Sequence, residues 1–93
     1  MASLPQPASG PDTDAILRPL LADTLGISLE RVGTFTADTE LFGALAEFDS
    51  MAVANLLTGI EERFGVLIED SDVEAEDFAT YGSLRAFIRR LAA

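Results

Sequence analysis

The sequence predicts an all-α fold: a small four-helix bundle of three main helices and one short helix, with a long loop between helices one and two. Apolar residues recur at helical spacing in three separate stretches, and glycine or proline punctuates the chain between them. The one candidate strand, Val66-Leu67-Ile68, is too short and isolated to found a sheet. Short connections, the long loop excepted, make a bundle the natural packing.

The elements follow in order. Residues 1–11 are rich in Pro, Ser, Ala and Gly without periodicity and read as a flexible leader, followed by one helical domain over 12–92. Asp12 and Asp14 suit a helix start. Ile16, Leu17, Leu20, Leu21, Thr24 and Leu25 then form one apolar stripe over about 13–25. Pro19 interrupts it, removing a hydrogen bond at about 3 kcal/mol in a regular interior. Either the helix is kinked there or it begins late; the stripe stays in phase through the proline, which favours one kinked helix. Gly26 supplies a left-handed stop.

Residues 27–48 show no sustained period, yet Ile27, Leu29, Val32, Phe35, Leu41, Phe42, Leu45 and Phe48 recur along them. A loop of this length is expected to be packed across the helices. The second helix runs from Ser50 to Phe64, with Val53, Leu56, Leu57, Ile60 and Phe64 inward and either Asp49 or Ser50 as its cap. Gly59 inside it costs about 1 kcal/mol relative to alanine, which points to a neighbour packed closely against it. Gly65 ends the helix. A short third helix is expected over 74–78, anchored by Val73 and Phe78. The last helix, over 82–92, is capped by Thr80 and buries Leu84, Phe87, Ile88 and Leu91. Arg85, Arg89 and Arg90 lie toward its C-terminal end, the favourable side of the helix dipole.

Composition excludes much chemistry. The chain of 93 residues is 48% apolar, but no apolar run approaches membrane-spanning length, so membrane insertion is not expected. Residues near the N-terminus lack the charge and apolar core of a secretory signal, and the cytoplasm is the expected compartment. There is no cysteine, no histidine and no lysine. Disulfides, thiolate nucleophiles, thiolate metal sites and histidine-dependent triads are therefore absent. A net charge of −10 repels nucleic acid and anionic membranes and attracts basic protein patches.

An enzyme is not expected. Ser50 has no His or Lys to activate it, and the carboxylates of Glu61 and Glu62 are sequence neighbours that do not face each other. Glu69, Asp70, Asp72, Glu74, Glu76 and Asp77 look like a cation-binding set but miss the calcium-loop spacing, so no metal site is expected. What remains is Ser50 itself, an exposed hydroxyl at a helix start, where backbone N–H groups and the dipole favour an attached negative group. It is either a plain capping residue or a modification site.

Asp49-Ser50-Met51, its helix, and Glu61-Glu62-Arg63-Phe64-Gly65 with Ile68 resemble the acyl carrier protein family, whose motif is Asp-Ser-Leu followed by a helix ending in Glu-Glu-x-Phe. The resemblance covers about 13–91. It implies that Ser50 carries 4′-phosphopantetheine, donated from coenzyme A by a phosphopantetheinyl transferase, with Asp49 beside it. It also implies that the cofactor thiol bears acyl groups as thioesters for partner enzymes. Family contact positions on the second helix fall at Asp49, Met51, Ala54, Asn55, Thr58, Glu61 and Glu62. The last two, expected to be exposed, would meet basic docking patches on acyl-loading and acyl-processing enzymes. Met51 is either such a contact or core filler. A lining for a sequestered acyl chain would be Val53, Leu57, Ile60, Ile68, Val73 and Phe78.

The sequence departs from the family pattern. Glu47 replaces a glycine, Met51 a leucine, and Ala52 and Asn55 stand where fatty-acid carriers tend to be acidic. The implied protein is a specialised discrete, monomeric carrier for lipid or secondary-metabolite synthesis rather than a housekeeping fatty-acid one. Phe48-Asp49-Ser50-Met51-Ala52-Val53 is similar to carriers associated with exopolysaccharide and exosortase gene sets. The alternatives are an aminoacyl or peptidyl carrier and, in a different class, an unmodified helical adaptor that binds basic partners.

Overall fold

The computed structural model describes residues 10–92. Four α-helices, α1 (Gly10–Leu25), α2 (Leu29–Gly33), α3 (Ser50–Phe64) and α4 (Tyr81–Ala92), are joined by loops that include 3-10 turns at Asp70–Asp72 and Ala75–Phe78. The predicted second and last helices are α3 and α4, and the short third helix is the turn Ala75–Phe78. The leader expected over 1–11 lies outside the described residues except for Gly10 and Pro11, which open α1.

A continuous α1 runs through Pro19, which rules out the late start. Leu17, Leu20, Leu21 and Leu25 are buried on one face. At about 1.5–3 kcal/mol for each such side chain, their burial exceeds the cost of one proline. At the end of α1, Gly26 (φ 70) turns left-handed, and its amide and that of Ile27 both return to the Ala22 carbonyl.

The long loop is packed, as its apolar residues foretold, but by means the sequence did not display. Within it, α2 is a single turn capped by Ser28, whose Oγ accepts the Arg31 amide at 3.0 Å, and it buries Val32. Arg18 on α1 secures this turn, donating from Nη1 to the Val32 carbonyl at 2.7 Å and from Nη2 to that of Phe35 at 3.2 Å. A main-chain seam then fixes the rest of the loop to the start of α4. Gly82 and Tyr81 donate to the carbonyls of Ala37 and Thr39, while Leu41 and Phe42 donate to those of Ala79 and Phe78. Glu40 and Thr80 form an isolated antiparallel bridge at its centre.

α3 packs on α1 at Gly59. A Cβ there would stand 2.5 Å from Cδ1 of Leu20, so a glycine is what lets the helices approach. Leu56 and Ile60 are fully buried, and Ala52, absent from the predicted inward set, is buried with them. Val53, Leu57 and Phe64 are partly buried against the same core.

Thr80 caps α4 reciprocally with Ser83: each hydroxyl accepts the other's amide at 3.0 Å. Tyr81, Leu84, Phe87 and Ile88 are its buried residues. Tyr81 is fully enclosed. Its hydroxyl donates to Asp14 at 2.6 Å, and the guanidinium groups of Arg18 and Arg85 lie 4.7 and 5.4 Å from its ring centroid. Arg85 also pairs with Asp14. No helix among the described residues is long and apolar enough to cross a membrane.

Candidate functional site

The approach to α3 is built from aromatic anchors. Phe48 is buried just before the helix, with its ring 6.1 Å from that of Phe42 and 6.3 Å from that of Phe78, and Phe78 in turn lies 6.1 Å from Phe87. This row ties the chain before Ser50 to α4. Glu47, at the position where the family pattern has glycine, reaches Arg31 of α2 at 3.0 Å. A backbone hydrogen bond and that guanidinium hold its carboxyl below the usual carboxylate range, although the pair is exposed and counts for little in stability.

Asp49 is the cap. Its backbone is extended and its Oδ1 accepts the Ala52 amide at 2.9 Å, so the choice left open between Asp49 and Ser50 falls on Asp49. Ser50 becomes the first helical residue, exposed, and its hydroxyl has no hydrogen-bond partner among the described residues. The amides of Ser50 and Met51 are in the first turn, where no intrahelical acceptor exists. An anionic group on Ser50 would therefore meet unpaired N–H groups and the positive end of a fifteen-residue helix.

Beside Ser50 opens an apolar pocket of about 260 Å3, lined by Phe42, Ser50, Val53, Val73, Ala75 and Phe78. Of the lining that the resemblance implied, Val53, Val73 and Phe78 are there. Leu57, Ile60 and Ile68 are not: Ile60 is core, and the other two are partly buried elsewhere against it. Phe42 and Ala75 were missed. No local signal separates them from other loop residues, since the seam brings Phe42 to Phe78 across a long stretch of sequence.

The remaining predicted residues share one face of α3. Met51, at 72% exposure, is surface rather than core, and Ala54, Asn55, Thr58 and Glu62 are exposed with it at helical spacing. Glu61 differs. It is partly buried, and its Oε2 accepts the Ile68 amide at 2.8 Å, which corrects the expectation that both acids of the pair are freely exposed. Ala52 likewise says nothing about surface charge, because it is buried. Among the described residues no group of three or more acidic, histidine or cysteine side chains is placed to hold a metal ion.

The family model for the phosphopantetheine attachment site matches residues 15–91. The chain thus belongs to the phosphopantetheine-binding, acyl carrier protein family, whose members carry groups and do not themselves catalyse; it is not an enzyme. The holo acyl carrier protein of Nitrosomonas europaea, solved by solution NMR, is similar to it. The two share 40% identity at a TM-score of 0.74, over 84% of this chain and 92% of that one.

Proposed function

We propose that this chain is a discrete acyl carrier whose Ser50 receives 4′-phosphopantetheine from coenzyme A through a phosphopantetheinyl transferase. The observation that carries this is the exposed Ser50 hydroxyl, without a hydrogen-bond partner among the described residues, at the N-terminus of α3 on the rim of an apolar pocket. The chain has no histidine or lysine to activate that hydroxyl and the Asp49 carboxylate is engaged as the helix cap, so the transferase supplies the base. Once bound, the cofactor provides the thiol that a chain without cysteine lacks. Asp49 holds the helix start in place beneath the attachment point, and the first-turn amides favour its phosphodiester.

The pocket supports acyl cargo over aminoacyl or peptidyl cargo. Apart from Ser50 it is lined by Phe42, Val53, Val73, Ala75 and Phe78, which offer side-chain carbon and no side-chain partner for an amine or a peptide group. Partners dock on the exposed face of Met51, Ala54, Asn55, Thr58 and Glu62 and bring basic residues to its acidic end, which accelerates encounter more than it tightens binding. The exposed Asn55 and the arginines of α4 support a specialised role in lipid or secondary-metabolite synthesis, and the likeness to exopolysaccharide-associated carriers points the same way. The protein would work as a cytoplasmic monomer.

Intact-mass measurement after incubation with coenzyme A and a promiscuous phosphopantetheinyl transferase tests this. One phosphopantetheine should be gained by the native chain and none by Ser50→Ala. No gain, or a gain that survives the substitution, rules the carrier function out.

A further inference from the structure

Glu61 lies in the last turns of α3, where a carboxylate opposes the negative end of the helix dipole. Both of its acceptor groups are in use. The main-chain carbonyl accepts the Gly65 amide at 3.0 Å, closing the helix on a left-handed residue (φ 67), and the carboxylate Oε2 accepts the Ile68 amide at 2.8 Å. Between those two bonds the chain leaves the helix and turns toward Val73, which stands in the wall of the pocket beside Ser50.

The far end of that wall is fastened to α4. Asp77, 8% exposed, accepts the Glu74 amide at 2.9 Å and Arg90 Nη2 at 3.0 Å, and Ser83 Oγ donates to its carbonyl. The near end is tied to α3 by Glu61. Glu62, one residue on, is exposed and has no ion pair among the described residues.

We infer that Glu61 is a positioning residue for the pocket wall, a latch whose carboxylate holds the 66–73 segment to the end of α3 through the Ile68 amide. Glu62 is left as the member of the pair that offers its charge to a partner. An amide bonded to a partly buried carboxylate is among the stronger hydrogen bonds a loop can make. Breaking it leaves a partly buried amide unsatisfied and the wall secured at one end. The latch itself rests on geometry alone; only its effect on a stored acyl chain rests on the carrier function proposed above.

Residue-resolved amide hydrogen exchange on the unmodified protein tests the latch without any loading of Ser50. Glu61→Ala should speed exchange at Ile68 by about tenfold or more relative to Leu84 in the core of α4. Glu61→Gln, whose side-chain oxygen still accepts, should stay within about threefold of the native protein. Glu62→Ala should leave Ile68 unchanged. Native-like Ile68 exchange in Glu61→Ala, equal loss in Glu61→Gln, or the same loss in Glu62→Ala overturns the latch.

Should Glu61→Ala unfold the domain, a second measurement decides. The native protein should show a through-hydrogen-bond scalar coupling between the Ile68 amide nitrogen and the Glu61 carboxyl carbon, and its absence overturns the latch. Because no phosphopantetheine is involved, failure here leaves the carrier function standing. Failure of Ser50 to load would equally leave the latch standing.

Discussion

The Asp49 carboxylate accepts the Ala52 amide at 2.9 Å, and Ser50 is thereby the first residue of α3 with its hydroxyl free of capping duty. In this arrangement one residue starts the helix and its neighbour is presented by it. Asp49→Ala should lower stability by about 1 kcal/mol, whereas Asp49→Asn, whose amide oxygen still caps, should remain within a few tenths of the native value. Thermal unfolding checks both. Phosphopantetheine transfer to Ser50 should slow in the alanine variant alone if the cap is what orders the site.

Tyr81 and Asp14 couple stability to pH at both extremes. Burial and the Asp14 carboxylate push the Tyr81 hydroxyl well above its ordinary value. Its contribution is therefore fully present below about pH 10, the unfolded value, and is lost as pH rises beyond it. For Asp14, burial works against ionisation, but the Tyr81 hydroxyl and Arg85 outweigh it and leave the carboxyl below its usual range. That contribution is present above about pH 4 and declines as pH falls through the folded-state value. Denaturant titrations across pH should show the alkaline limb flatten in Tyr81→Phe and the acid limb flatten in Asp14→Asn.

Gly59 and Leu20 should show strong coupling. Gly59→Ala improves helix propensity by about 1 kcal/mol but drives a methyl group into Cδ1 of a nearly enclosed leucine, an overpacking cost of about 1–3 kcal/mol. The net expected change is a loss of about 1 kcal/mol. In a Leu20→Val background the δ carbons are gone and the same glycine substitution should stabilise. A double-mutant cycle by urea unfolding measures the change of sign.

Filling the pocket should separate attachment from cargo storage. Val73→Phe places a ring in the 260 Å3 space beside Ser50 while leaving the serine itself in place. Loading with phosphopantetheine should continue at the native rate by intact mass. An attached octanoyl group should no longer shift the NMR signals of Val53 and Phe78, and its thioester should be cleaved several-fold faster by hydroxylamine. Unchanged shifts would show that the chain is stored elsewhere.

Most of the bundle was legible because helices announce themselves locally. The stripe of α1, the run from Ser50 to the Gly65 stop, and the Thr80 cap each depend on residues within a few positions of one another. The single-turn α2 was not legible, since five residues are too few to show a period. The burial of Tyr81 was missed although it stands three and seven residues before Leu84 and Ile88, because the predicted helix began one residue later; its partners Asp14 and Arg18 come from the other end of the chain.

The amino-acid sequence by itself determined where the three long helices lie, that the chain has no histidine, cysteine or lysine, and which hydroxyl stands at the head of α3. These follow from composition, period and capping, which act over short range. Only the tertiary structure decided which of two adjacent acids is exposed, which residues line the pocket, and how the loop before Ser50 is held. Glu61 and Glu62 are chemically alike, and what separates them is an Ile68 amide that the returning chain brings within 2.8 Å of one carboxylate. Phe42 faces the pocket because the seam from Ala37 to Phe42 is bonded to 78–82, a pairing between distant segments for which no local pattern exists.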